Sequence, residues 1–395
     1  MLPESERVRA LAAAERLVAS LSRPNVSEGE RVEALRDAGS IVSSLEGTED
    51  AMLKFAFTPT TWMAIRTFVQ LKVFALLSEK EETSLYDVSE RTQADELLLR
   101  RLFRVLTAAG FVAEKGAGLY GPTKWTRYLS LRTTEAMVVH YYDFGTQILA
   151  KTPHYLDQTG YPNPNDGRNG PFQSAFNCPG EGAFDWLRRP ENVGQWEAAN
   201  TFFEGDRGSR PSWVTWFPVQ EKLIDGSKPD TPLLVDVAGG RGHDLKEFVD
   251  KFPKSGSFVL QDQQPVLDSA TSLPSTVRKQ SINFFRESPV KGARIYFMKF
   301  IIHDWPDEES LTILRNISAS MTKGYSYLVI HDFILPDQGC HLIAAQWDLL
   351  MMVSLSAMER SESQWRGLIE RAGLQLEGLY QPPGDGQGII IATLA

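Results

Sequence analysis

Residues 233–242 read Leu233-Leu234-Val235-Asp236-Val237-Ala238-Gly239-Gly240-Arg241-Gly242, and His243 opens a helical pattern at once. A buried strand that ends in a glycine turn and feeds a helix is the first unit of a doubly wound α/β sheet. The same alternation recurs downstream. Strands are predicted near 232–237, 257–262, 293–300 and 326–334, and helices near 243–252, 307–321, 340–353 and 361–372. Two last apolar runs, Leu374 to Tyr380 and Gly388 to Leu394, flank Pro382-Pro383-Gly384-Asp385-Gly386 and read as an antiparallel hairpin. Residues 230–395 therefore form a parallel βαβ sheet closed by an antiparallel hairpin.

A second strand tip carries different chemistry. In Lys299-Phe300-Ile301-Ile302-His303-Asp304-Trp305-Pro306-Asp307-Glu308-Glu309 an apolar strand ends in a histidine, and an acidic helix start follows. A doubly wound sheet places both tips on its carboxyl edge, where such folds bind ligands. At the first tip, glycine lets a ligand approach the backbone closely. The following helix offers unpaired N–H groups. Asp262 lies twenty residues beyond Gly242, at the end of the next strand. A carboxylate there can hold both hydroxyls of a ribose. The glycines do not complete G-x-G-x-x-G, because no glycine or alanine stands three residues after Gly242. Besides a plain strand–helix turn, two cofactors fit: a dinucleotide and S-adenosylmethionine (SAM). Asp236 before the glycines and the missing third glycine favour SAM.

At the second tip, His303 carries the side chain best suited to move a proton near pH 7. A strand-end histidine can equally be hydrogen-bonded and inert. Two carboxylates stand where they could reach it: Asp332, ending Tyr327-Leu328-Val329-Ile330-His331-Asp332, and Glu359, in Met358-Glu359-Arg360-Ser361-Glu362. A carboxylate in reach would fix the imidazole tautomer and stabilise the imidazolium. A neutral His303 would then serve as a general base, a role worth roughly a hundredfold to ten-thousandfold.

The bulk numbers set limits. The chain has 395 residues, enough for two or three domains, with 42% hydrophobic and 23% charged residues. A net charge of −9 argues against a general nucleic-acid binder. Two cysteines, Cys178 and Cys340, cannot staple a secreted fold. The six histidines show no metal-ligand spacing, so no metal is expected. The acidic N-terminus does not read as a signal peptide, and no apolar run is long enough to span a bilayer. A cytoplasmic protein with no membrane contact is expected. No internal repeat or low-complexity segment is visible.

Residues 5 to about 46 read as two amphipathic helices that pack on their own domain or on a partner chain. Residues 50–125 read as helices at Thr61–Leu77, Ser84–Glu90 and Ala94–Gly110, followed by a hairpin at Phe111–Tyr120, which makes a winged helix. Arg100, Arg101 and Arg104 on its third helix could touch phosphate, but an acidic chain with a catalytic domain disfavours DNA binding. Domain limits are expected at 1–132, 133–229 and 230–395. The middle segment is helical and aromatic, with a Pro/Asn/Gly loop at 160–172. Its aromatics suit core packing and, with it, a connector that lines a pocket.

Three stretches together, Val-Asp-Val-Ala-Gly-Gly-Arg-Gly-His-Asp-Leu from Val235, Met-Lys-Phe-Ile-Ile-His-Asp-Trp-Pro-Asp-Glu-Glu from Met298 and Met-Glu-Arg-Ser-Glu from Met358, resemble the SAM-dependent O-methyltransferases of the caffeate and fungal secondary-metabolite type. The resemblance runs from about residue 50 to the end. It implies a Rossmann-like methyltransferase sheet preceded by a winged-helix dimerisation domain, and hence a homodimer. It implies His303 as catalytic base flanked by Asp332 and Glu359. It implies Gly239, Gly240, Gly242, Asp262, Asn283 and Lys299 at the cofactor, and His140, Met298, Trp305, Leu350 and Met351 at or beside the substrate pocket. Two positions depart from the family pattern: Ala238 replaces its first glycine, and Asn283 stands where it has aspartate. The implied reaction is methylation of a phenolic or enolic hydroxyl on a small aromatic or polyketide-like molecule. The chain is similar as well to fungal members of this fold that use the pocket for pericyclic or dehydration chemistry and keep SAM as a fixed positive charge.

Overall fold

The computed structural model describes residues 2–205, 212–253, 255–382 and 386–395, so Pro383-Gly384-Asp385 of the predicted hairpin turn lie outside the described residues. The chain divides into two compact units, one of Met1–Gln147 with Leu187–Asp206 and one of Ile148–Trp186 with Arg207–Ala395. Residues 133–229 are thus shared between the two.

The first unit opens with helices α1 (Glu4–Leu21) and α2 (Glu28–Leu45). The Ser27 hydroxyl accepts from the Glu30 N–H while the Glu30 carboxylate accepts from the Ser27 N–H, which starts α2 sharply. There follow α3 (Thr48–Gln70), α4 (Val73–Ser78), β1 (Thr83–Ser84), α5 (Leu85–Thr92), α6 (Glu96–Ala108), β2 (Val112–Gly116), β3 (Leu119–Pro122), α7 (Lys124–Leu129) and α8 (Arg132–His140). The helix expected at Thr61–Leu77 is broken. Lys72 adopts φ +58, and this left-handed residue redirects the chain so that Val73, Phe74, Leu76 and Leu77 all become buried. The three strands pair in the order β1-β3-β2, all antiparallel, around a core of Phe68, Phe74, Phe103 and Tyr120. Helices followed by this small sheet form a winged helix.

A single wide π-turn at Tyr141–Gly145 leads into α9 (Thr146–Thr159), then α10 (Pro171–Phe176), α11 (Ala183–Leu187), α12 (Val193–Gly205) and α13 (Trp213–Trp216). The remaining elements are β4 (Pro232–Val237), α14 (His243–Lys251), β5 (Ser257–Asp262), α15 (Gln264–Ser269), β6 (Val277–Ser281), β7 (Ile295–Lys299), α16 (Asp307–Ser318), β8 (Tyr327–Asp332), β9 (Ile334–Leu335), α17 (Leu342–Leu355), β10 (Arg360–Ser361), α18 (Glu362–Arg371), β11 (Leu374–Tyr380) and β12 (Gly388–Leu394). Seven strands form one sheet in the order β11-β12-β8-β7-β4-β5-β6. The five from β8 to β6 are parallel, and β12 is antiparallel to both its neighbours.

Alternation along the buried strands feeds two cores. Tyr296 and Met298 of β7 face Leu311, Leu314, Trp365 and Leu368 on one side of the sheet. Ile295 and Phe297 face Trp213, Leu245 and Phe248 on the other. Burying each such side chain contributes about 1.5–3 kcal/mol. The parallel register sets Lys299 beside His331 and Asp236 beside Phe297, so the tips of β4, β7 and β8 share one edge. Strand β6 was not expected. Only Val277 of Val277–Ser281 is buried, so this polar edge strand carries no apolar signature.

Candidate active site

The turn after β4 is left-handed at Ala238 (φ +59), Gly240 (φ +59) and Gly242 (φ +78). The Ala238 N–H is held by the Gln261 carbonyl at 2.7 Å. A Cβ at Gly239 would lie 2.3 Å from the Asp236 carboxylate and 2.6 Å from Leu260, so only glycine fits there. A Cβ at Gly240 would meet nothing within 4 Å. Asp262 joins the two strand tips, accepting from the Gly240 N–H at 2.9 Å and from the Gln263 N–H at 2.7 Å. Open space at the Gly240 Cα beside a carboxylate fits the adenosyl ribose of SAM.

The second tip turns sharply. β7 ends at Lys299, Phe300 takes φ +53, and a single turn at Ile302–Asp304 carries His303 inward. A positive φ is costly for a bulky residue and is kept only where its surroundings enforce it. Here the Phe300 N–H donates to Asp332 Oδ1 at 2.7 Å, and its ring lies between the His303 imidazole (centroids 4.9 Å, 29°) and Trp347 (5.9 Å, 6°).

His303 is buried, with Nδ1 2.6 Å from Glu359 Oε1 and Nε2 3.2 Å from Asp304 Oδ1. Burial alone would push the imidazole towards neutrality. The Glu359, Asp304 and Asp332 carboxylates outweigh it and raise His303 to about 10. Burial pushes Asp304 up to about 7 and Asp332 up to about 6, against the pull of His303. His303, Asp304 and Asp332 hold more protons near neutrality than they would in water.

Of the two carboxylates expected beside His303, Glu359 reaches the ring, whereas Asp332 reaches the Phe300 backbone. Sequence reasoning missed three contributors. In sequence Asp304 belongs to an acidic helix start, and Phe300 carries the pattern of an ordinary strand residue. Arg360, fully buried, donates to the carbonyls of Ile302 and Trp305 at 3.0 Å and to Asp307, and so pins the turn that carries His303. Its signal was its place next to Glu359, since a buried arginine needs a dense set of acceptors.

The other expected residues spread more widely. Lys299 pairs with Asp244 at 3.2 Å, between the two tips. Asn283 follows β6, where its side chain accepts from the Phe285 N–H and stabilises a turn. Met298 is fully buried in the sheet core rather than facing the edge. Trp305 packs edge-on against Phe285 at 4.7 Å. Leu350 and Met351 are half-buried on α17. His140 belongs to the other unit. There it stacks on Phe144 (5.2 Å) and Phe202 (6.1 Å), and burial lowers it to about 4, so it is neutral.

Comparison with known proteins decides the family. The O-methyltransferase domain model matches residues 221–375, and the O-methyltransferase dimerisation domain model matches residues 53–131. O-methyltransferase penC of Penicillium thymicola is 33% identical over 368 residues, covering 92% of this chain and 91% of penC. The chain belongs to the SAM-dependent O-methyltransferase family. Among solved structures, OxaC in complex with SAH and oxaline superposes with a TM-score of 0.86 at 26% identity, over 99% of this chain and 100% of OxaC. A structure described as a pericyclic reaction enzyme superposes with a TM-score of 0.89 at 27% identity, over 98% of this chain and 100% of that one. This O-methyltransferase thus has near neighbours of two chemistries on one fold. Among its described residues, no helix is long and apolar enough to cross a membrane.

Proposed function

We propose that this O-methyltransferase methylates a phenolic or enolic hydroxyl of a small, flat secondary metabolite, with His303 as general base, and works as a cytoplasmic homodimer. The observation that carries the reading is the 2.6 Å contact between His303 Nδ1 and Glu359 Oε1, buried at the strand tip. Glu359 fixes the ring through one nitrogen. The other nitrogen has a looser contact, 3.2 Å to Asp304, which a substrate hydroxyl can replace.

Gly239, Gly240, Gly242 and Asp262 would hold SAM, with Lys299 and Asn283 beside them. SAM, when bound, supplies an electrophilic methyl group and a positive charge that opposes the imidazolium. A neutral His303 accepts the hydroxyl proton at Nε2 as the oxygen attacks. A phenol near pKa 10 is a poor donor to a free imidazole. The raised basicity of His303 narrows that gap, and holding the groups in line contributes as much again. Free Cys178 and Cys340 suit a reducing cytoplasm.

The test is SAH release from SAM in the presence of a panel of phenols and enolised 1,3-dicarbonyls. Release that depends on the acceptor supports methyl transfer. The 27% identity to a pericyclic reaction enzyme supports a second reading, in which the same pocket rearranges or dehydrates its substrate and SAM is kept unreacted. Substrate conversion without SAH would establish that reading instead.

A further inference from the structure

Asp348 is the one charged residue of helix α17, whose sequence from Leu342 to Leu355 is otherwise apolar or neutral. Aspartate is a poor residue for a helix interior, because its carboxylate competes for the backbone. This one is also half-buried, and burial pushes its carboxyl up. Its Oδ1 accepts from the Glu359 N–H at 2.9 Å.

The chain reaches that contact by doubling back. Ser356 caps α17 with φ +55, and Ala357, Met358 and Glu359 return along the helix. Asp348 lies two turns before the helix end, about 10 Å, and three extended residues span about that distance. The helix end is tightly packed as well: a Cβ at Gly170 would lie 2.1 Å from the Ser356 hydroxyl.

Glu359 needs such an anchor. Its carboxylate bonds to His303 through Oε1 alone, while Oε2 is buried with no hydrogen-bond partner among the described residues. One contact does not orient a flexible side chain, so the backbone must place it. On the far side of Glu359, Arg360 clasps the Ile302 and Trp305 carbonyls and its backbone pairs with Ile334 of β9. On the near side stands Asp348. Its neighbour Trp347 stacks on Phe300, the ring that covers His303. Two consecutive residues of α17 therefore support His303, one through Phe300 and one through Glu359.

We infer that Asp348 is a positioning residue for the proton transfer, holding the Glu359 backbone and through it the carboxylate on His303 Nδ1; this rests on the reading of His303 as the base. The carboxylates that act on the imidazole are Glu359, Asp304 and Asp332. Glu359, Arg360 and the Cys340 thiol are the groups that face Asp348. Asp348 thus works through the hydrogen bond it accepts and not through its own charge on the ring.

The experiment uses the full chain with [13Cε1]-histidine, and compares Asp348→Leu, which removes the acceptor, with Asp348→Asn, which removes the charge and keeps an acceptor oxygen. Asp348→Leu is expected to lower kcat by about tenfold or more while SAM affinity stays within about twofold. The NMR titration of His303 should fall by about one unit or more, as its contact with Glu359 loosens. Asp348→Asn should restore both. In a Glu359→Gln background, Asp348→Leu should cost less than about a further twofold, because the two act as one unit. Unchanged kcat and titration in Asp348→Leu, equal damage in Asp348→Asn, additive losses in the double variant, or loss of SAM binding together with kcat would each overturn the inference. Full activity in Glu359→Gln as well as in Asp348→Leu would instead overturn the reading of the base on which it rests.

Discussion

Phe300 lies over His303 with ring centroids 4.9 Å apart, and its own backbone is held in a left-handed conformation by the Asp332 carboxylate. The support of the histidine is therefore indirect on one side and direct on the other. Asp332 holds the backbone that places the covering ring, while Glu359 holds the imidazole itself.

Phe300→Ala keeps the turn but removes the ring between His303 and Trp347. It is expected to lower kcat by tenfold or more while SAM affinity changes less than about twofold, because misplacement by ~1 Å can cost about a hundredfold. Steady-state kinetics and calorimetry on one preparation check this. An equal loss in both would make Phe300 a structural residue only.

Glu359 is the leading group that raises His303. In the free chain the ring is protonated near pH 7 and loses its proton only towards about 10, so kcat/KM is expected to climb through pH 7–9. Glu359→Gln removes the largest of the supports and leaves only Asp304 and Asp332 to oppose burial. The rising limb should move to lower pH, with a plateau reduced by up to roughly the hundredfold to ten-thousandfold worth of the base. A limb that stays in place would detach Glu359 from His303.

Two changes at the glycine turn should act in opposite directions. Ala238 sits at φ +59, a conformation that costs an L-residue about 1–2 kcal/mol. Ala238→Gly relieves it and frees the unfolded chain by about 0.4–1 kcal/mol, for a net gain of up to about 1.6 kcal/mol. Gly239→Ala drives a methyl into Asp236 and Leu260 and should abolish SAM binding. Denaturant titration reads the first and calorimetry the second. A stable, SAM-binding Gly239→Ala would contradict the geometry of the turn.

The long strands and helices from β4 to β12 were legible because buried strands and amphipathic helices carry their periodicity openly, whereas the polar edge strand β6 and the short α15, β9 and β10 carry none. His303 and Glu359 were legible from their places at element ends. What was hidden depends on contacts distant in sequence. Phe300 gives no local sign of its φ, which Asp332 imposes from 32 residues away. Arg360 finds acceptors on a turn more than 50 residues upstream. Met298 stands beside the tip in sequence, but strand alternation turns it into the core. The Thr61–Leu77 pattern was continuous, and only the left-handed Lys72 divides it.

The central claim is that His303 takes the substrate's proton during methyl transfer. The most direct measurement is SAH release by His303→Ala against wild type, with the same methyl acceptor and with SAM binding measured in parallel. Loss of turnover by at least about a hundredfold with near-normal SAM affinity is the predicted result. Unchanged turnover would contradict it.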